Sequence, residues 1–206
     1  DLLPLVYKEM GYAWRTVADG VAPDAGWYAV GEDEKEAIDA MLFPLRGRSF
    51  ASAAEFAGFF RAGMEADLRE AARGNLGSPV KAAADVLRDA RAVLQDIIEN
   101  GGLAPGSHRK FLSVYNPAIN RVTFGPPRQR NAQLLALMEA GVLAVAAGPS
   151  DAGRLDEDRS QFALHTRCGS DTVTQHADVL VVARLDVYSP ETDDSLLTRN
   201  LVKRGL

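Results

Sequence analysis

Apolar residues in the first two-thirds of the chain recur at helical spacing. Leu3, Val6, Met10, Trp14 and Val17 step by threes and fours, which predicts a helix over residues 2–17. Gly20, Pro23, Gly26 and Gly31 break it. A short acidic helix over 32–42 follows and is stopped by Pro44. Ser52-Ala53-Ala54-Glu55 forms a capping box, opening a helix with Phe56, Phe59, Phe60, Met64 and Leu68 on one broad face. Gly74 and Asn75 end it. Ser78-Pro79 is a second start signal. From there Val80, Ala83, Leu87, Ala90, Leu94 and Ile97 trace an a/d seam up to Asn100-Gly101-Gly102. The seam predicts one half of an antiparallel helix pair in a bundle, with the Phe-rich helix as partner. Ser107 is expected to cap a short helix to Tyr115. Asn116-Pro117 and Gly125-Pro126-Pro127 bracket an expected loop with a strand over 121–124, and a helix is expected over 128–140.

The pattern changes after Gly141. Residues 142–147 are short, apolar and bounded by glycines, as a buried strand is. Residues 161–167 alternate, with Phe162 and Leu164 on one face and His165 on the other, and the chain returns through Val173. Residues 177–183 read as a strand buried on both faces, and 193–204 as a final helix. The expected class is α+β. A bundle-like helical region over 1–140 precedes a β-meander, a buried strand and a C-terminal helix over 141–206. So apolar a strand needs neighbours on both sides, and this chain offers few. They are expected in a larger polypeptide or a partner chain.

The remaining features bound the function. The chain has 206 residues, 47% hydrophobic and 25% charged, ample for a core without metal or disulfide. No apolar run reaches the roughly 18 residues of a membrane span. A net charge of −5 argues against non-specific nucleic-acid binding. Cys168 is the single cysteine, so an internal disulfide is excluded and a reducing, cytoplasmic setting is expected. A chain that opens on Asp1 without a signal-like segment reads as a processed product or an excised piece. His108, His165 and His176 are scattered without ligand spacing, so no metal site is expected. Neither they nor Cys168 sits in a recognisable catalytic constellation, and no catalytic residue is assigned.

One segment stands out. Residues 100–138 hold no Asp or Glu but contain Arg109, Lys110, Arg121, Arg128 and Arg130. Arg128 and Arg130 fall where a helix opens, so backbone N–H groups and the helix dipole would add to their charge. Arg121, Arg128 and Arg130 are therefore candidates for contact with an anion such as a dinucleotide phosphate. A solvated basic surface is the plainer reading of the same residues, and docking of an acidic partner by a helical interaction module is the alternative function.

Several stretches carry a resemblance. Leu112-Ser113-Val114-Tyr115-Asn116-Pro117 leads to Asn120-Arg121-Val122-Thr123-Phe124-Gly125-Pro126-Pro127. Leu134 to Leu143 follows, and then Ala177-Asp178-Val179-Leu180-Val181-Val182-Ala183-Arg184. This succession, across residues 78–206, resembles the FAD/NAD(P)-binding proteins, flavoprotein-like chains distantly similar to flavin-dependent hydroxylases. The resemblance implies an oxidoreductase using FAD and NAD(P), and an internal, cap or substrate-side fragment of a Rossmann-type fold. It implies that the 177–183 strand returns the chain to the flavin-binding sheet. The family's strand, G-x-G-x-x-G, helix fingerprint is absent from this sequence. No cofactor is therefore expected to bind tightly to this chain, and the chain alone is expected to be inactive. Its expected partners are the remainder of the larger polypeptide and a small-molecule substrate, not nucleic acid or a membrane.

Overall fold

The computed structural model describes residues 2–146, 153–169, 171–183 and 189–205. In chain order the elements are α1 (Leu3–Asp19), α2 (Glu32–Leu42), α3 (Ala53–Arg73), α4 (Pro79–Asp89), α5 (Arg91–Glu99) and α6 (Pro105–Lys110). A π-helical turn (Phe111–Tyr115), α7 (Asn116–Thr123) and α8 (Arg128–Glu139) come next. The strands β1 (Arg154–Asp156), β2 (Gln161–Cys168) and β3 (Asp171–Ala177) precede α9 (Leu196–Lys203). Two compact units result: residues 1–149 with 166–173, and residues 150–165 with 174–206. Among the described residues no helix is long and apolar enough to cross a membrane.

The core of the larger unit lies where α1, α2 and α4 meet. Tyr7, Met10, Ile38, Leu42, Ala83 and Leu87 are buried together, and Trp14, Val86, Ile119 and Val122 pack against them. This corrects the expected pairing of the a/d seam. Its residues Ala83, Leu87 and Leu94 are indeed buried, but α4 packs chiefly on α1 rather than on the Phe-rich helix. The small Ala83 lets the two helices approach around Met10. The seam is also divided: Ala90 caps both α4 and α5, so one expected helix is two. The Phe-rich α3 packs on α8, where Arg61 Nη2 reaches Glu139 at 2.7 Å. Phe56 and Phe59 lie against Phe50, with ring centroids 5.1 and 5.2 Å apart.

Both serine start signals hold. Ser52 Oγ accepts from Glu55 N at 3.1 Å, while Glu55 Oε2 accepts from Ala51 N at 2.7 Å. Ser78, fully buried, accepts from Lys81 N at 3.2 Å and donates to Glu70 Oε2 at 2.6 Å. The Ser78 hydroxyl, followed by the Arg73 guanidinium, holds the Glu70 carboxyl below its ordinary value. A depressed native pKa contributes stability above the unfolded value, and that contribution is lost as pH falls through the native value. Ser78→Ala is therefore expected to cost about 1 kcal/mol near pH 7. The gap to the parent chain should narrow at about pH 3, as urea unfolding at the two pH values would show.

Ser107 does not cap. The helix starts two residues earlier, with Pro105 in its first turn, where a missing N–H costs nothing. The expected strand over 121–124 is instead the end of α7 and the residue after it. Pro117 sits in the first turn of α7, so it continues the helical path rather than breaking it.

Strand β1 pairs antiparallel with β2, matching Arg154 to Ala163 and Asp156 to Gln161, and the sheet order is β1-β2-β3. The meander is as the alternation predicts. Two expected strands are not formed. Residues 142–146 are irregular, and Ala147 lies outside the described residues. Of the 177–183 run, Ala177 ends β3 and the rest is irregular. Val179, Val181 and Val182 are 73%, 78% and 68% exposed. Apolar, β-branched sequence fits a strand, but a strand needs a hydrogen-bonding neighbour. The expected final helix shortens to α9, where Asp193 accepts from Ser195 N at 2.8 Å and from Thr198 Oγ1 at 3.0 Å. Arg184 lies outside the described residues.

Candidate functional site

The three arginines chosen from sequence take two different positions. Arg121 Nη2 donates to the Met41 carbonyl near the C-terminal end of α2, the negative end of that helix dipole. Desolvation there holds its pKa below the usual guanidinium value, without threatening its charge. Arg121 thus ties α7 to α2. Arg128 and Arg130 are exposed in the first turn of α8, which Pro127 precedes with no side-chain cap. Arg130 Nη1 donates to Gln133 Oε1 at 2.8 Å.

The other candidates resolve into local roles. His165 Nδ1 lies 2.9 Å from Thr174 Oγ1, a cross-strand pair. His176 Nε2 lies 3.3 Å from Asp156 Oδ2, an interaction that spacing along the chain did not reveal. Cys168 is buried, its Sγ 3.7 Å from the Phe50 carbonyl. His108 lies in α6. Among the described residues no group of three or more His, Cys, Asp or Glu side chains is arranged to hold a metal ion.

A half-buried ion pair joins α1 to α2. Arg15 grips Glu34 Oε1 through Nη2 at 2.5 Å and Nε at 2.7 Å, and Glu34 is only 1% exposed. Glu34 Oε2 and the nearby Tyr28 hydroxyl have no partner. Burial, then the Glu34 charge, pushes the Tyr28 phenol up from its ordinary value. A Cβ on Gly31 would stand 2.3 Å from Glu34 Oε2, so glycine makes room for that carboxylate. The Arg15–Glu34 pair ties α1 to α2.

A concavity lies elsewhere in the same unit, with α4 and α5 on one side and the π-turn and α7 on the other. Its volume is about 300 Å³. Arg91, Gln95 and Glu99 line one wall, and Asn116, Asn120 and Thr123 the other. Leu94, Ile98 and Phe111 form apolar surface between them. Arg91 lies over the Phe124 ring, 4.5 Å from its centroid, and Gln95 Nε2 donates to Glu99 Oε1 at 2.7 Å. π-turns recur at functional sites, where the wider turn reorients side chains. The asparagines escape a sequence reading that treats Asn116-Pro117 as a loop. Their four-residue spacing is the signal that places them on one helix face.

These residues do not fit a flavin dinucleotide. Such a site needs a parallel strand leading through a glycine-rich turn into a helix, with the pyrophosphate on the helix N-terminus. The described strands are a short meander, and Arg121 is committed to a backbone carbonyl.

Comparison with known proteins finds relatives that match this chain over part of their own length. It is 36% identical to the L-aspartate N-monooxygenase (nitrosuccinate-forming) of Streptomyces davaonensis over 188 residues, 90% of this chain and 28% of that protein. It is 35% identical to the nitrosuccinic acid synthase of Aspergillus oryzae over 131 residues, 63% of this chain and 20% of that protein. An L-aspartate N-monooxygenase of Streptomyces cremeus is 36% identical over 140 residues, 68% of this chain and 21% of that protein. The chain therefore spans between a fifth and under a third of the length of these relatives. No family model matches it, and no solved structure matches it.

Proposed function

We propose that this chain is an internal, substrate-side portion of a flavin-dependent N-monooxygenase whose substrate is L-aspartate or a close analogue. The observation that carries this reading is 36% identity across 90% of the chain to a protein of that activity. Amine oxygenation consumes dioxygen and two electrons per oxygen atom inserted; the second oxygen atom leaves as water. Amino-acid side chains supply neither the electrons nor oxygen activation. A flavin reduced by NAD(P)H supplies both. The donor set here does not fit that cofactor, so its Rossmann-type site is assigned to the part of the longer protein outside these residues. Residues 177–183 would return the chain to that sheet. Arg128 and Arg130, exposed in a segment without acids, suit a phosphate or carboxylate presented by the assembled protein. A cytoplasmic setting, where NAD(P)H is regenerated, accords with this role.

The test is turnover by the longer protein containing this sequence, supplied with FAD, NAD(P)H and air. L-Aspartate is expected to accelerate oxygen uptake and to be oxidised at nitrogen, with L-glutamate much poorer. Oxygen uptake that is indifferent to every amino acid offered would refute the reading.

A further inference from the structure

The groove between α5 and the π-turn–α7 segment carries two polar ladders of one pitch. Arg91, Gln95 and Glu99 recur every four residues on α5, and Asn116 and Asn120 recur at the same interval opposite. Four residues advance an α-helix by about 6 Å. Two residues advance an extended chain by about 6.6 Å. Carboxamides at this interval match alternate residues of an extended backbone, because each offers one acceptor oxygen and an N–H₂ donor to a peptide C=O and N–H. Among the described residues neither asparagine side chain has a hydrogen-bond partner within the protein. The floor between the ladders is apolar, formed by Leu87, Leu94, Ile98 and Ile119. Side chains of an extended segment alternate, so every second one would enter that floor.

The charges set a length. Arg91 and Glu99 are eight residues apart, about 12 Å along the helix. A single amino acid is too short to meet both, whereas four residues of extended chain cover about 13 Å. We propose that this groove holds an extended segment from the part of the longer protein outside these residues. Its alternate positions are apolar, and it carries one acidic and one basic residue four positions apart, the acid at Arg91 and the base at Glu99. An intramolecular source is favoured because the chain accounts for only 28% of the relative it matches over the greatest length. Leu112 and Phe124, which line the groove, are also 51% and 57% exposed, as surface awaiting cover is. The inference rests on the chain being part of a longer protein, and not on the oxygenation chemistry.

Two probes test it. The first is the fluorescent peptide acetyl-Leu-Asp-Leu-Ser-Leu-Lys-Leu-amide and its twin with Asp and Lys both replaced by Ser, titrated into the 206-residue chain by anisotropy. The charged peptide is expected to bind about tenfold tighter than the neutral one. Asn116→Ala with Asn120→Ala should weaken the better peptide by about tenfold or more, the scale of lost hydrogen bonds, with little change in thermal midpoint. Equal affinity for the two peptides, or binding indifferent to the asparagines, overturns the ladder. The second is hydrogen exchange of the amides in α5 and residues 111–123, expected to be slower in the longer protein than in this chain alone. Equal exchange overturns the intramolecular source. Failure of aspartate turnover would alter neither readout, so the two proposals fall separately.

Discussion

Leu87→Ala is expected to destabilise the larger unit by about 3 kcal/mol, within the usual range for a buried leucine truncated to alanine. Leu87 is 1% exposed and packs where three helices converge, beside Met10, Ile38 and Ala83. The cost of such a truncation depends on how far the surroundings can collapse into the cavity. Here they are held. Arg15 and Glu34 pin α1 to α2, Tyr7 Oη donates to Asp39 Oδ1 across the same interface at 2.5 Å, and Arg121 ties α7 to the end of α2. With the walls fixed, the cavity persists. For a unit of this size the melting temperature should fall by about 6–12 °C. Val93→Ala, at a site 62% exposed, should change stability by no more than about 0.5 kcal/mol. Urea unfolding read at constant slope distinguishes the two. A loss below about 1 kcal/mol at Leu87 would mean that the helices can close the gap, and that the junction is looser than its geometry indicates.

The features legible in the sequence are those decided within one turn of chain. Ser52 and Ser78 cap because a hydroxyl and the N–H three residues on are always neighbours at a helix start. The acidic α2 begins and ends as its sequence dictates, with Glu32, Asp33 and Glu34 at the positive end of its dipole. What was not legible is decided by residues far apart. The a/d stripe shows that Ala83, Leu87 and Leu94 face a partner, but not whether the partner is α1 or α3. The proximity of Arg121 to Met41 spans 80 positions, and that of His176 to Asp156 depends on the folded sheet. Pro117 reads as a break from sequence, but here it follows directly on the π-turn of residues 111–115 and the helical path runs on through it. The loop reading thereby hides the Asn116–Asn120 face.

The run 177–183 is the sharpest case of a pattern that states burial without providing it, and it yields the second large expected effect. Val181→Asp should leave the stability of the 206-residue chain within about 0.5 kcal/mol, because the side chain is 78% exposed. It should also raise solubility, since an unpaired β-branched run invites association with other copies. In the longer protein, where we assign this run to the interior of the flavin-binding sheet, the same carboxylate would be buried without a partner. A loss of several kcal/mol is expected there, seen as a lower urea midpoint and a smaller fraction of retained flavin. Val181→Ile, which keeps shape and apolarity, should be tolerated in both. Indifference of the longer protein to Val181→Asp would mean that the valines face water there too, and that the strand is completed nowhere in the molecule.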